Sequence, residues 1–132
     1  MSWVANVLLS VSMEDRQMVE KFSQWLDNDA PWNGPTVPPG ATGVGSLRPL
    51  SGRDVAWGGY KNPECHVSGG VLNHADLDAV VSRFGELSWQ SPGSAQLFIK
   101  EQEQSYFRVW MIRDGRPMQY APEPMPGDDG SY

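Results

Sequence analysis

Few side chains in this chain of 132 residues are of the types that commonly carry out chemistry. The one cysteine, Cys65, is directly followed by His66, one of two histidines. A thiol beside an imidazole can act as a nucleophile with its base. Neighbouring residues on a strand point to opposite faces, however, so this pair cannot work together if the segment is extended. We therefore interpret Cys65 as a structural thiol and predict no catalytic residue.

Metal and phosphate sites are not predicted either. The second histidine, His74, lies near Asp76, but the pair lacks the ligand spacing of a zinc site. The glycines at 40, 43 and 45 are not followed by the Lys-Ser or Lys-Thr of a phosphate loop. Acidic pairs fall in predicted first helical turns, where the helix dipole explains them, or in the C-terminal tail. We therefore expect no metal and no cofactor.

The charge balance bears on the kind of partner. Ten Lys and Arg residues stand against sixteen Asp and Glu, which gives a net charge of -6. Because affinity for nucleic acid depends on Lys and Arg neutralising phosphates, an acidic chain argues against a nucleic-acid partner. The apolar run 3–11 is shorter than the roughly 18 residues of a membrane span and has no positive flank. We predict a cytoplasmic protein with no membrane partner.

The first half of the chain predicts a strand, a helix and a long loop. Apolar residues alternate over 1–12, which is typical of a central strand. Ser12 with Asp15 three residues later predicts a helix start of the capping-box type. Pro31 ends the helix, and the segment 31–52, rich in proline and glycine, is expected to be a long loop.

The second half predicts more strands around a second helix. Val55–Tyr60 and Cys65–Leu72 have the composition of strands, and Asn73 or His74 is expected to cap the helix that follows. That helix has the apolar stripe Leu77, Val80, Val81 and Phe84. A hairpin of 95–101 and 105–113 follows, with a short edge strand at 116–120.

This order of elements predicts the fold. A β-α-β-β-α-β order is typical of the ferredoxin-like α+β fold, an antiparallel sheet with both helices on one face. We predict a single domain over 1–121 with an extra C-terminal edge strand, followed by an acidic, proline-rich tail at 122–132. The other face of such a sheet stays open unless the 31–52 loop or the tail covers it, and the sequence leaves this undecided.

The strands of the predicted hairpin are apolar on both sides, so the open face is expected to carry large side chains. Exposed aromatic patches usually mark a partner surface. We expect Phe98, Tyr106 and Trp110 to form such a patch, with Arg108 beside it. The remaining predicted partner-binding residues are Trp32 in the loop as a further anchor and the steering acids Asp27 and Asp29.

Parts of the chain resemble a known group of sequences. Residues 57–65 (WGGYKNPEC), 72–77 (LNHADL) and the hairpin 98–113 are similar to short acidic proteins of actinobacterial genomes. That family has no assigned activity, so the resemblance implies no role for any residue. In size and acidity alone, the chain is also loosely similar to immunity proteins that neutralise polymorphic toxins.

Three functions follow as hypotheses. The first is a non-enzymatic protein-binding module of the inhibitor or immunity type, whose acidic surface meets a basic toxin or nuclease. The second is a homodimer that closes on the same aromatic patch. The third is a small-ligand-binding protein or small enzyme with a pocket between the 31–52 loop and the sheet. Its candidate polar residues are Cys65, His66 and Arg108.

Overall fold

The computed structural model describes residues 3–34, 37–50, 59–121 and 123. These residues form an α+β fold with one antiparallel sheet of six strands and two helices. The strands are β1 (Val4–Ser12), β2 (Arg48–Pro49), β3 (Cys65–Asn73), β4 (Gln96–Glu101), β5 (Arg108–Arg113) and β6 (Arg116–Tyr120). The helices are α1 (Arg16–Asn28) and α2 (Leu77–Glu86). The strand order across the sheet is β2-β3-β1-β4-β5-β6.

Strand β1 lies at the centre of the fold because one of its faces is wholly apolar. Ala5, Val7, Leu9 and Val11 are buried, and the residues between them are half-buried. Strands β3 and β4 pair with β1 on its two sides, both antiparallel to it. Complete burial of aliphatic side chains of this kind contributes about 1.5–3 kcal/mol each, so this face organises the core.

Both helices pack on that same face of the sheet. Helix α1 buries Val19, Phe22 and Leu26 in one cluster with the apolar side of β1. Helix α2 adds Val80 and Phe84 to the same cluster. These residues follow the helical spacing in the sequence, as expected of helices that bury one face.

The helix ends differ from the predicted ones. The side chain of Ser12 makes no capping hydrogen bond, and a 3-10 turn at Met13–Asp15 precedes α1. Helix α2 is capped by Asp76, whose carboxylate accepts a hydrogen bond from the N–H of Ala79 at 3.3 Å, and not by Asn73 or His74. An aspartate at this position is a strong helix cap because it satisfies a backbone donor of the first turn.

The predicted strand Val55–Tyr60 is not found where the chain is described. Residues 55–58 lie outside the described residues, and Gly59 and Tyr60 are not in a strand. The partner of the outer edge of β3 is instead the two-residue strand β2, in which Arg48 pairs with Gly69. The proline at position 49 cannot donate a backbone hydrogen bond, which suits it to a short edge strand.

The described part of the 31–52 loop packs against the body of the protein. The Trp32 ring stacks on His74 at 5.1 Å between centroids, and its indole N–H donates to the carbonyl of Gly43 at 2.8 Å. Val44 and Leu47 are buried in the core. Trp32 is thus held in place by contacts within its own chain.

No helix within the described residues is both long enough and apolar enough to cross a membrane.

Candidate functional site

The face of the sheet opposite the helices is lined by apolar side chains, and we call it the open face. Strand pairing places Leu8 beside Phe98, Phe98 beside Val109, and Val109 beside Tyr120. Directly paired residues on one face have Cβ atoms about 4.5–5.5 Å apart, so these side chains form a continuous row. A second, parallel row consists of Val67, Ser10, Gln96, Met111 and Met118.

Neither α1 nor α2 covers the open face, since both pack on the other side. At its outer edge Met118 is 39% exposed and Tyr120 is 42% exposed. Phe98 and Met111, nearer the centre of the sheet, are half-buried. The open face therefore presents a band of apolar surface with a thioether and aromatic composition typical of protein interfaces.

The charges on the open face have one sign. Among the described strand residues of this face, the charged side chains are Arg48, Lys100, Arg113 and Arg116, and none is acidic. This is unexpected in a chain of net charge -6. The described strand residues of the open face therefore form a cationic surface on an acidic protein.

The expected grouping of Phe98 with Trp110 on one face is wrong. Phe98 pairs with Val109 on the open face, whereas Trp110 pairs with Leu97 on the core side and packs against the core. Arg108 also faces the core side, because it pairs with the buried Ile99. Successive side chains of a strand alternate between the two faces, so the pairing register of the hairpin decides which face Phe98 and Trp110 occupy. The sequence did not show that register.

The other predicted partner-binding residues lie away from the open face. Tyr106 is in the connection between β4 and β5 and is 48% exposed. Asp27 and Asp29 are exposed at the C-terminal end of α1, on the helix side of the sheet. The sequence reasoning missed Leu8, although its place on the less apolar face of the 1–12 strand was a usable signal.

A cleft of 480 Å³ lies between α1, the end of the 31–52 loop and strand β3. Its residues are Arg16, Gln17, Val19, Glu20, Ser23 and Gln24 from α1, Leu47 and Pro49 from the loop and β2, and His66 and Ser68 from β3. The third hypothesis placed its pocket between the 31–52 loop and the sheet; this cleft adjoins both, but six of its ten lining residues belong to α1. Its volume lies in the range of about 300–1,000 Å³ that small-molecule sites occupy.

Of the three polar residues expected in such a pocket, only His66 lines the cleft. Cys65 precedes it on β3 and so faces the other side of the sheet. Arg108 is on β5, three strands away from β3, a distance of about 14 Å across the sheet. The residues that sequence reasoning missed are Ser68, two positions after His66 on the same face, and Arg16 and Glu20 on the helix above.

The floor of the cleft is a buried polar pair. His66 is 7% exposed and Ser68 is 1% exposed. The Ser68 hydroxyl and the His66 Nε2 are 3.2 Å apart and share a hydrogen bond. Burial lowers the pKa of His66 below its ordinary value, the Arg16 guanidinium lowers it further, and Glu20 opposes this in part. The imidazole is therefore neutral at pH 7.

The lowered pKa of His66 makes the stability of the fold depend on pH. As the pH falls below about 6.5, the unfolded chain takes up the proton before the folded chain does. We therefore expect the free energy of unfolding to be highest above this pH and to decrease as the pH falls toward the folded-state pKa. Urea denaturation between about pH 5 and pH 8 measures this. In His66→Gln the decrease should be smaller, and an unchanged pH dependence in that variant would contradict the assignment.

Outside the cleft, the buried carboxylate of Asp15 connects two segments on the helix side of the sheet. Asp15 is 2% exposed, and its carboxylate accepts hydrogen bonds from the backbone N–H groups of Gln90 at 2.7 Å and Ser91 at 3.0 Å. Glu14 next to it accepts a hydrogen bond from the Ser91 hydroxyl. These contacts join the start of α1 to the connection between α2 and β4. Asp15 thus has a structural role.

Within the described ranges, no group of three or more His, Cys, Asp or Glu side chains is arranged to hold a metal ion. Among the described residues, the open face and the α1–β3 cleft are the candidate sites considered for function. Comparison of the chain with protein-family models, with curated proteins and with solved structures finds no match, so the geometry alone supports the functional conclusion.

Proposed function

We propose that this protein is a non-enzymatic protein-binding module that docks its partner on the open face. The observation that carries the proposal is the continuous apolar row from Leu8 through Phe98 and Val109 to Tyr120 on the helix-free side of the sheet. Burying such a row against a partner removes apolar surface from water. Half-buried aromatic and methionine side chains are effective anchors in interfaces of this kind.

The charges of the open face define the partner's contact surface. Four cations surround the apolar row, and complementary interfaces place opposite charges against each other. The favoured partner surface therefore has an apolar centre and carboxylates at its rim. A second copy of this chain fits less well, because two open faces brought together would place like charges opposite one another.

An inhibitor or immunity-type role is the more specific form of this proposal. It is supported by the small size of the chain. Because the open face is cationic, the toxin or nuclease would have to present a surface with carboxylates, and Asp27 and Asp29 on the helix side would not contact it. Cytoplasmic location belongs to the same proposal.

The topology also supports a fold proposal. The order β4-β1-β3-β2 with helices after β1 and β3 is the pattern of the ferredoxin-like fold. We propose that the fold is a ferredoxin-like variant in which β5 and β6 extend the sheet beyond β4. In this arrangement β6 is the edge strand, and Met118 and Tyr120 mark the outer limit of the open face.

Two exposed tyrosines provide a matched test of the binding surface. Tyr120 is on the open face and Tyr106 is outside it, with exposed fractions of 42% and 48%. Affinity capture from the host with wild-type protein identifies candidate partners, whose affinities are then measured with purified components. We expect Tyr120→Ser combined with Met118→Ser to weaken binding at least about tenfold, the equivalent of 1.4 kcal/mol.

Tyr106→Ser is the control and should bind as wild type does. Raising the salt concentration should slow association if the cations of the open face meet carboxylates. Equal affinity of the open-face double variant and Tyr106→Ser for the same purified partner would refute the proposed surface. Sedimentation of the wild-type chain alone separates a distinct partner from self-association.

A further inference from the structure

The floor of the α1–β3 cleft breaks the pattern of the core. The helix-facing residues of β1 from Ala5 to Val11 are aliphatic, as are Leu97 and Ile99 of β4, but the equivalent positions at the start of β3 hold His66 and Ser68. Val11 pairs with His66, and Leu9 pairs with Ser68. Buried polar groups are unfavourable unless they are hydrogen-bonded, and such departures from apolar packing concentrate at functional sites.

The hydrogen bond between His66 and Ser68 uses only one of the two ring nitrogens of His66. That nitrogen is Nε2, and the Nδ1 of His66 makes no hydrogen bond to any described residue. This neutral imidazole can either donate to or accept from a bound molecule, depending on its tautomer. The cleft thus has a floor that offers hydrogen bonds to a polar ligand while avoiding a buried charge.

The rim of the cleft carries one charge of each sign. Arg16 and Glu20 are four residues apart on α1 and both line the cleft. Side chains at this spacing are neighbours and commonly pair, but these two form no ion pair with each other within 4.0 Å. Neither makes an ion pair elsewhere among the described residues, where the pair found is Arg83 with Glu86. A cation and an anion are therefore both available to a ligand.

We infer that the α1–β3 cleft binds a free α-amino acid with an apolar side chain. The ligand carboxylate pairs with the Arg16 guanidinium, and its ammonium group pairs with the Glu20 carboxylate. Val19, Leu47 and Pro49 provide the apolar wall against which the ligand side chain packs. This inference does not rest on the proposed protein-binding function, because the cleft and the open face are on opposite sides of the sheet.

The probes for this site are L-leucine, L-methionine and L-phenylalanine, each titrated into uniformly ¹⁵N-labelled full-length protein to about 10 mM. We expect at least one of them to shift the amide resonances of 16–24, 47–49 and 66–68, and to leave those of β5 and β6 unchanged. Two analogues of leucine test the contribution of each charged group separately. The analogue 4-methylpentanoate lacks the ammonium group, and 3-methylbutylamine lacks the carboxylate. Each should bind at least tenfold more weakly than L-leucine.

Two variants that each remove one charge from the rim of the cleft, together with two control variants, complete the test. Arg16→Gln and Glu20→Gln should each weaken binding of the responding amino acid at least tenfold. Lys21→Gln and Asp27→Asn remove exposed charges of the same helix that do not line the cleft, and they should bind as wild type does. The inference is overturned if none of the three amino acids shifts the cleft resonances. It is equally overturned if both analogues bind as tightly as leucine, or if the Arg16 and Glu20 variants retain wild-type affinity.

Discussion

Replacement of Asp15 by alanine is expected to lower the free energy of unfolding by about 3–5 kcal/mol. The carboxylate is buried and accepts two backbone hydrogen bonds, from Gln90 and Ser91. Hydrogen bonds to a charged group contribute about 1.5–3 kcal/mol each, and alanine would leave both donors without an acceptor. Because a domain of this size is stable by only about 5–15 kcal/mol, the loss is a large fraction of the total.

Urea denaturation monitored by tryptophan fluorescence measures this effect. Asp15→Asn keeps one carbonyl acceptor and should fall between wild type and Asp15→Ala. Asp27→Asn, which changes an exposed acid of α1 whose side chain has no hydrogen bond or ion pair among the described residues, is the control and should change stability by less than about 0.5 kcal/mol. If Asp15→Ala were as stable as this control, the two hydrogen bonds would have no energetic importance.

Gly70→Ala is expected to destabilise the fold by about 2–4 kcal/mol, whereas Gly69→Ala should change stability by less than about 1 kcal/mol. The two glycines are neighbours on β3 and face opposite sides of the sheet. A Cβ on Gly70 would overlap the backbone carbonyl oxygen of Ser46. A Cβ on Gly69 would meet only the side-chain ends of Leu8 at 3.1 Å and Leu50 at 3.3 Å, with backbone no nearer than 3.5 Å.

The difference arises from what has to move. At Gly69 the ends of two leucine side chains can rotate, and alanine is favoured over glycine in a strand by about 0.5–1 kcal/mol. At Gly70 the loop backbone itself must shift, although Leu47 is held by hydrogen bonds between its backbone and the Ser23 hydroxyl at 2.9 and 3.2 Å. Denaturation of the two variants under one set of conditions measures the contrast. Equal stabilities would show that the Ser46 carbonyl is not packed closely against Gly70.

Replacement of Gly70 is expected to alter the cleft as well as the stability of the fold. The Leu47 side chain would lie 3.2 Å from the Cβ of an alanine at position 70, and it forms part of the apolar wall beside Ser23 and His66. A displaced loop should therefore alter the amide resonances of the cleft as well as lower stability. In Gly69→Ala, where the loop backbone is not displaced, those resonances should stay close to their wild-type positions.

The amino-acid sequence predicted the elements whose patterns are local. The alternation over 1–12 predicted β1, and the stripe ending at Phe84 predicted α2, because burial of one face imposes a period of two or 3.6. The hairpin and the short strand after it were also predicted. The local pattern says nothing of the contact at Gly85 within α2, where a Cβ would be 2.5 Å from the ring of Pro117.

The binding surface could be predicted only in outline. The strand pattern indicated a sheet face without helices, but not which aromatic side chains would share it. A shift of one residue in pairing moves every side chain of a strand to the other face, and the register depends on contacts made across the whole sheet. Phe98 and Trp110 were separated in this way, and Met118 and Tyr120 joined the open face through the pairing of β5 with β6.

What the chain by itself determined is the two helices and every described strand except β2, together with the acidic balance. Only the tertiary structure decided which residues meet. Asp15 reaches Gln90 across 75 positions, and Arg16 and Glu20 stand over His66, which follows them by more than 40 residues. The physical reason is that hydrophobic burial has a local period, whereas a hydrogen bond or a cleft depends on how distant segments pack together.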